Sequence, residues 1–126
     1  MKIQLTTNSP NFKYKHPLKT AYKKGLMPEV KYGLYGELLT KDTVSLEHIT
    51  PKSQGGGLTF DNLALASKIE NNKRGTIPIH LCVTKQMWIR YLKQFINVKN
   101  PLVNGISYIK GICRKQKINP KEVLYA

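Results

Sequence analysis

The stretch LEHITPKSQGGGLTFDNLALASKIENNKRG, residues 46–75, decides the fold. Just ahead of it and into it, residues 43–49 (Thr43-Val44-Ser45-Leu46-Glu47-His48-Ile49) read as a strand, because β-branched residues are frequent and Val44, Leu46 and His48 share one face. Pro51 stops that strand, and Ser53 to Gly57, with three glycines in a row, reads as a loop. Leu63-Ala64-Leu65-Ala66 forms a second short strand. Ser67 and Glu70 then have the S-x-x-E spacing of a capping box, opening a helix that Gly75 ends with Pro78 behind it. The order is strand, loop, strand, short helix.

Outward from this unit the signals are weaker upstream and stronger downstream. Residues 1–16 read as an extended polar start, with alternation in Lys2-Ile3-Gln4-Leu5 and in Phe12-Lys13-Tyr14-Lys15. Pro17 to Lys24 predicts a short helix closed by Gly25, and Met27-Pro28 breaks it. Downstream, Thr84 caps an amphipathic helix in which Met87, Trp88, Tyr91, Leu92, Phe95 and Ile96 recur at helical spacing. This aromatic stripe reads as core rather than as a base-stacking platform, which needs exposure. A second helix after Asn100-Pro101 carries Ile106, Ile109, Ile112 and Cys113, weakened by Gly105 and Gly111. Asn119-Pro120-Lys121-Glu122 opens a last short helix.

The composition limits the function classes. With 126 residues, 40% of them hydrophobic, the chain fits one packed domain. A chain this size buries roughly two-thirds of its unfolded surface and needs no disulfide or metal to fold. No apolar run approaches the ~20 residues of a membrane span, and MKIQLTTNSP lacks an apolar signal core, so the expectation is an intracellular protein with no membrane partner. Cys82 and Cys113 form no CxxC and fit a reducing interior. Lys and Arg number 21 against 7 Asp and Glu, a net charge of +14, which predicts a polyanionic partner such as DNA. The asymmetry is as telling: residues 71–126 hold 11 basic side chains and a single acid, Glu122, which solubility alone does not require.

Within residues 46–75 the chemistry-bearing side chains fall in a fixed order: Glu47-His48-Ile49-Thr50-Pro51, Gly55-Gly56, Asn62-Leu63 and Asn71-Asn72-Lys73-Arg74-Gly75. This pattern resembles the HNH endonucleases, the ββα-metal nuclease family, over about a quarter of the chain. The resemblance implies an α+β fold: a ββα-metal core at about residues 43–75 with additional C-terminal helices at about 84–126, all within one domain spanning residues 1–126. It implies a metal-dependent hydrolase of DNA phosphodiester bonds that makes one nick per active site. Cutting both strands would then take a homodimer or two binding events.

The resemblance also distributes roles. His48 becomes the general base; an imidazole suits that task because its ordinary pKa is ~6.5, so the neutral form dominates at physiological pH. Glu47 and Asn71 become the ligands of Mg²⁺ or Mn²⁺, an oxygen-only set that suits a hard cation better than zinc. Asn72 is a rival to Asn71. Strict strand alternation sends Glu47 and His48 to opposite faces, so shared work requires the strand to bend or end there. Asn62 takes a supporting catalytic role, bonding backbone across the loop and orienting His48.

Lys52, Lys73 and Arg74 are expected phosphate contacts, and the basic C-terminal half, including Lys110, Arg114, Lys115 and Lys117, is expected to grip the backbone without reading sequence. Many members of the family carry a structural zinc on two CxxC pairs; here those positions hold Tyr32, Tyr35, Ser67 and Glu70, so no structural zinc is expected, and packed tyrosines with the Ser67–Glu70 capping box stand in for it. His80, in the apolar run Ile77 to Leu81, is expected to be buried and structural, and His16 carries no readable signal. Two other classes stay open: a non-catalytic DNA-binding module on the same fold, and a nuclease directed at RNA or branched DNA.

Overall fold

The computed structural model describes residues 16–125, so the expected extended start lies, but for His16, outside the described residues. Helix α1 (Pro17–Lys23) comes first, then strand β1 (Val44–His48), strand β2 (Leu63–Ser67) and helix α2 (Lys68–Arg74). Helices α3 (Lys85–Lys93), α4 (Gly105–Gln116) and α5 (Lys121–Leu124) follow. The fold is a small α+β one, with β1 and β2 antiparallel and in the register Val44 with Ser67 to His48 with Leu63. Among the described residues no helix is long and apolar enough to cross a membrane.

A two-stranded sheet is marginal on its own, and here it is embedded. All five residues of β2 are buried, so the alternation of a half-exposed strand is absent. Among the described residues the outer edge of β2 meets no third strand. Its backbone is satisfied instead by side chains and a loop: the Tyr91 hydroxyl accepts the Leu65 N–H (2.8 Å), the Tyr108 hydroxyl donates to the Leu63 carbonyl (2.7 Å), and the Leu34 N–H donates to the Leu65 carbonyl (2.9 Å). The two hydroxyls lie 3.0 Å apart. Unpaired strand edges invite further pairing; this one is closed by α3 and α4.

The aromatic stripe is core, as its spacing predicts. Trp88, Tyr91, Leu92 and Phe95 are buried, with edge-to-face pairs Trp88–Tyr91 and Tyr91–Phe95. On α4, Ile109, Ile112 and Cys113 are buried, joined by Tyr108. Gly105, a weak helix former, is required where it stands: a Cβ there would lie 1.8 Å from the Phe95 carbonyl oxygen. The α4 start thus sits directly on the chain leaving α3.

The helix ends follow the sequence in outline, but α3 stops at Lys93, so Phe95 and Ile96 of its stripe lie beyond the helix. Ser67 caps α2 by accepting the Glu70 N–H (3.2 Å), but the reciprocal half of the box is not made, since the Ser67 N–H donates to Glu37 Oε2 at 2.7 Å. His80 lies exposed in a short 3-10 turn, not buried as its apolar neighbours predict, because Ile77 and Leu81 beside it are themselves exposed.

Replacing Tyr91 with Phe removes the acceptor for the buried Leu65 N–H. The expected cost is on the order of 1–3 kcal/mol, the penalty for leaving a buried donor unpaired, read as a lower urea midpoint at unchanged m-value. An unchanged midpoint would show that the edge of β2 does not need this hydroxyl.

Candidate active site

The loop between the strands is built around Asn62. Its Oδ1 accepts the Thr50 N–H (2.8 Å), and its Nδ2 donates to the carbonyls of Gly57 (2.9 Å) and Thr50 (3.2 Å). The Ile49 N–H adds a bond to the Asn62 carbonyl at 2.8 Å. One side chain thus clasps both ends of the glycine loop. Gly56 lets it close: a Cβ there would lie 1.7 Å from the Thr50 carbonyl oxygen. Beside the loop is a cleft of about 270 Å³ lined by Thr50, Gly56, Asp61, Asn62 and Lys115 among others. The resemblance implies that Asn62 bonds backbone across the loop, and it makes those bonds.

His48 ends β1, two residues before the clasp. Burial holds its imidazole below the ordinary histidine range, and the charge of Lys52 adds to this, so the ring is neutral near pH 7. Its Nε2 is buried and has no hydrogen-bond partner among the described residues. Such orphaned nitrogens are rare in folded proteins and collect at functional positions. His16 lies near enough to act on the same charge balance, an arrangement with no local signal in the sequence. It caps α1 by accepting the Leu18 N–H at Nδ1 (3.1 Å), packs edge-to-face on Phe60 at 4.7 Å, and is itself held below the ordinary range, chiefly by burial.

Glu47 points elsewhere. It is 1% exposed, and both carboxylate oxygens are engaged: Oε2 with Arg74 Nη1, and Oε1 with the Tyr35 hydroxyl at 3.0 Å. Arg74, 4% exposed, turns every arm of its guanidinium inward. Nη1 also donates to the His48 carbonyl (2.8 Å), Nη2 to the Ile49 carbonyl (2.7 Å) and Nε to the Ile77 carbonyl (2.7 Å). Burial pushes the Glu47 carboxyl upward, and the Arg74 guanidinium and Tyr35 hydroxyl work against that push. The expectation that Arg74 meets phosphate is therefore corrected: it is an internal residue, because it is the counterion of a buried carboxylate.

Asn71 and Arg74 are three residues apart on α2 and share the face toward β1. The Asn71 Nδ2 donates to Ser45 Oγ (3.1 Å) and to the Leu46 carbonyl (2.9 Å), while Asn72 is exposed. Alternation along β1 is kept to its end, so Glu47 faces α2 and Tyr35, while His48 stands near His16 and Lys52. The divalent cation implied by the resemblance needs Glu47 and Asn71 to offer oxygens to one point. Asn71 retains its amide oxygen for that; Glu47 has both oxygens committed to Arg74 and Tyr35. The pair does not fit an open cation site, and no step below is routed through one. Among the described residues no three His, Cys, Asp or Glu side chains gather as a metal site.

The other expected phosphate contacts are on the surface. Lys52, Lys73, Lys110, Arg114 and Lys115 are all exposed. Lys73 lies 3.5 Å from Glu70, and Lys115 lies 4.0 Å from Asp61 at the cleft.

Support for the site also comes from a segment the sequence reading gave to tyrosines. Residues 32–38 form a tight knuckle bridged between Tyr32 and Leu38, with Gly36 at φ +87°. Tyr32 is half-exposed, so only Tyr35, through its bond to Glu47, supports the site directly. The cross-link is Glu37, whose carboxylate accepts the Tyr35 N–H (3.1 Å) on one oxygen and the Ser67 N–H (2.7 Å) on the other. Gln94 pins the knuckle to α3, accepting the Lys31 and Tyr32 N–H groups and donating to the Tyr32 carbonyl, each at 2.9 Å.

A histidine held low by burial and a nearby cation loses its proton at a lower pH than usual. Lys52→Gln removes the cation, so the His48 titration, followed by its ring NMR signals, moves upward toward the ordinary value. An unmoved titration would remove Lys52 from the surroundings of the ring.

No family model, curated protein or solved structure matches the chain, and the functional reading rests on its own residues.

Proposed function

We propose that the chain is an HNH-type endonuclease that hydrolyses phosphodiester bonds in DNA, one nick per site, with His48 as general base. The observation that carries this reading is the placement of His48 at the end of β1, with a buried Nε2 that meets no partner among the described residues, two residues from a loop clasped by Asn62. A strand pair and a helix in this order, with these residue types on them, support the resemblance in outline.

The neutral ring takes a proton from a water molecule as its oxygen attacks phosphorus, and the P–O3′ bond breaks on the far side. Lys52, exposed and close enough to bias the ring, balances charge on the phosphate oxygens. Asn62 keeps the loop and the strand end in register. The C-terminal end of α4, with Lys115 at the cleft and Arg114 and Lys110 exposed, provides the backbone grip. An acid limb in the cleavage profile is expected below the usual histidine pH of ~6.5, because activity is lost only once His48 is protonated.

A second reading has a specific observation behind it. The closed Glu47–Arg74 pair suits a DNA-binding module that keeps the scaffold without cutting. Supercoiled plasmid separates the two. Wild type with Mg²⁺ or Mn²⁺ is expected to nick it, and His48→Ala to lose roughly 10² or more of the rate while still shifting DNA on a gel. Binding without nicking, with either cation or in EDTA, would establish the module.

DNA affinity is expected to fall steeply with salt, with a log–log slope of about −0.9 for each phosphate neutralised. Charge reversals at Lys110, Arg114 and Lys115 should flatten that slope. A slope near zero in the wild type would remove the basic half as the grip.

A further inference from the structure

We propose that Arg74 is the positioning residue of His48, and that Glu47 is its buried counterion rather than a cation ligand. This rests on the reading of His48 as the base, and its geometry is independent of it. One guanidinium reaches three consecutive residues at the end of β1: the Glu47 carboxylate, the His48 carbonyl and the Ile49 carbonyl. Its Nε is anchored on the Ile77 carbonyl beyond α2. The main chain that carries the His48 ring is thereby fixed from the helix side, while Asn62 fixes it from the loop side through Thr50 and Ile49.

The residue types fit the task. Arginine presents five N–H donors in a rigid plane, so it can bind a carboxylate and several carbonyls at once; a lysine ammonium, a point charge with three donors, cannot match that geometry. Glu47 is needed because a guanidinium buried without a counterion is costly. Tyr35 donates to the other carboxylate oxygen, so both oxygens of Glu47 are engaged on the face away from His48. The carboxylate next to the base in sequence therefore acts through Arg74, on the opposite face of the strand.

Isotope-labelled wild type gives the first measurement. Slowly exchanging Arg74 side-chain N–H signals with contacts to residues 47–49 are expected, and millimolar Mg²⁺ should leave them unchanged. Rapidly exchanging signals, or loss of protection as Mg²⁺ binds, would overturn the assignment, because the pair would be open or would open for a cation. Arg74→Lys is the second: a lower melting temperature, a shifted His48 titration, and a kcat reduced at least tenfold with KM little changed. A folded Arg74→Lys whose His48 titration and kcat match the wild type would refute the positioning role.

Where Arg74→Lys does not fold, the double variant Glu47→Leu, Arg74→Met removes both charges together and takes the same two measurements. If the wild type cuts no DNA at all, the nuclease reading falls, and the Arg74 and His48 signals still decide this inference.

Discussion

A buried ion pair between β1 and α2 is the constraint on which the rest of this structure hangs. Glu47 and Arg74 are both out of water, and removing either partner of such a pair typically costs about 3–5 kcal/mol because the other charge is left stranded. That penalty fixes the distance and rotation of α2 against the sheet more tightly than its few apolar contacts do. α2 has seven residues, and its long apolar side chain, Ile69, is exposed. Without the pair, little but the Ser67 cap and the Asn71 bonds would hold it. A helix that short is marginal by itself, so its docking is the work of polar contacts.

The same pair governs what the site can do. A ββα unit puts the acid and the histidine on successive residues, hence on opposite faces of the strand, and they meet only if the strand breaks. Here it does not break: pairing runs through His48 with Leu63. Glu47 is drawn to the helix by Arg74, and His48 is left on the side of His16 and Lys52. The histidine keeps its buried Nε2 apart from the acid, and the acid is a structural carboxylate. Under the proposed reading, chemistry and support are divided between the two faces of one strand.

Much of this is legible in the sequence, and each exception has its own physical cause. The strands, α2 with its Ser67 cap, the aromatic core stripe and the loop role of Asn62 depend on local periodicity or on one turn's chemistry, which neighbouring residues announce. Arg74 was misread because Lys73 beside it is a surface charge and the two look alike in a basic run. A signal was present: Arg74 is three residues after Asn71, so whatever face Asn71 turns to the sheet, Arg74 shares. Glu37 was not legible at all. It bonds Ser67, thirty residues on, and nothing in its neighbourhood announces a partner so far along the chain. His80 failed in the other direction, since an apolar run is no proof of burial when the segment is a short surface turn.

The rigidity of the site has its origin on the far side of the sheet. Tyr91 and Tyr108 meet hydroxyl to hydroxyl and bond the outer edge of β2; burial raises both hydroxyls well above the ordinary tyrosine range, so they remain neutral donors and acceptors. They tie α3 and α4 to the strand that pairs with β1. Since α4 also packs on the turn holding Asn62, its basic C-terminal end is placed beside the loop rather than left to choose a position. A surface lysine gains no direction from its own side chain, which is long and mobile. Lys115 gains direction because a buried strand, two tyrosines and a helix start fitted around Gly105 set where its backbone lies. The charge that the composition announces becomes a surface fixed beside the Asn62 loop only through that packed aromatic core.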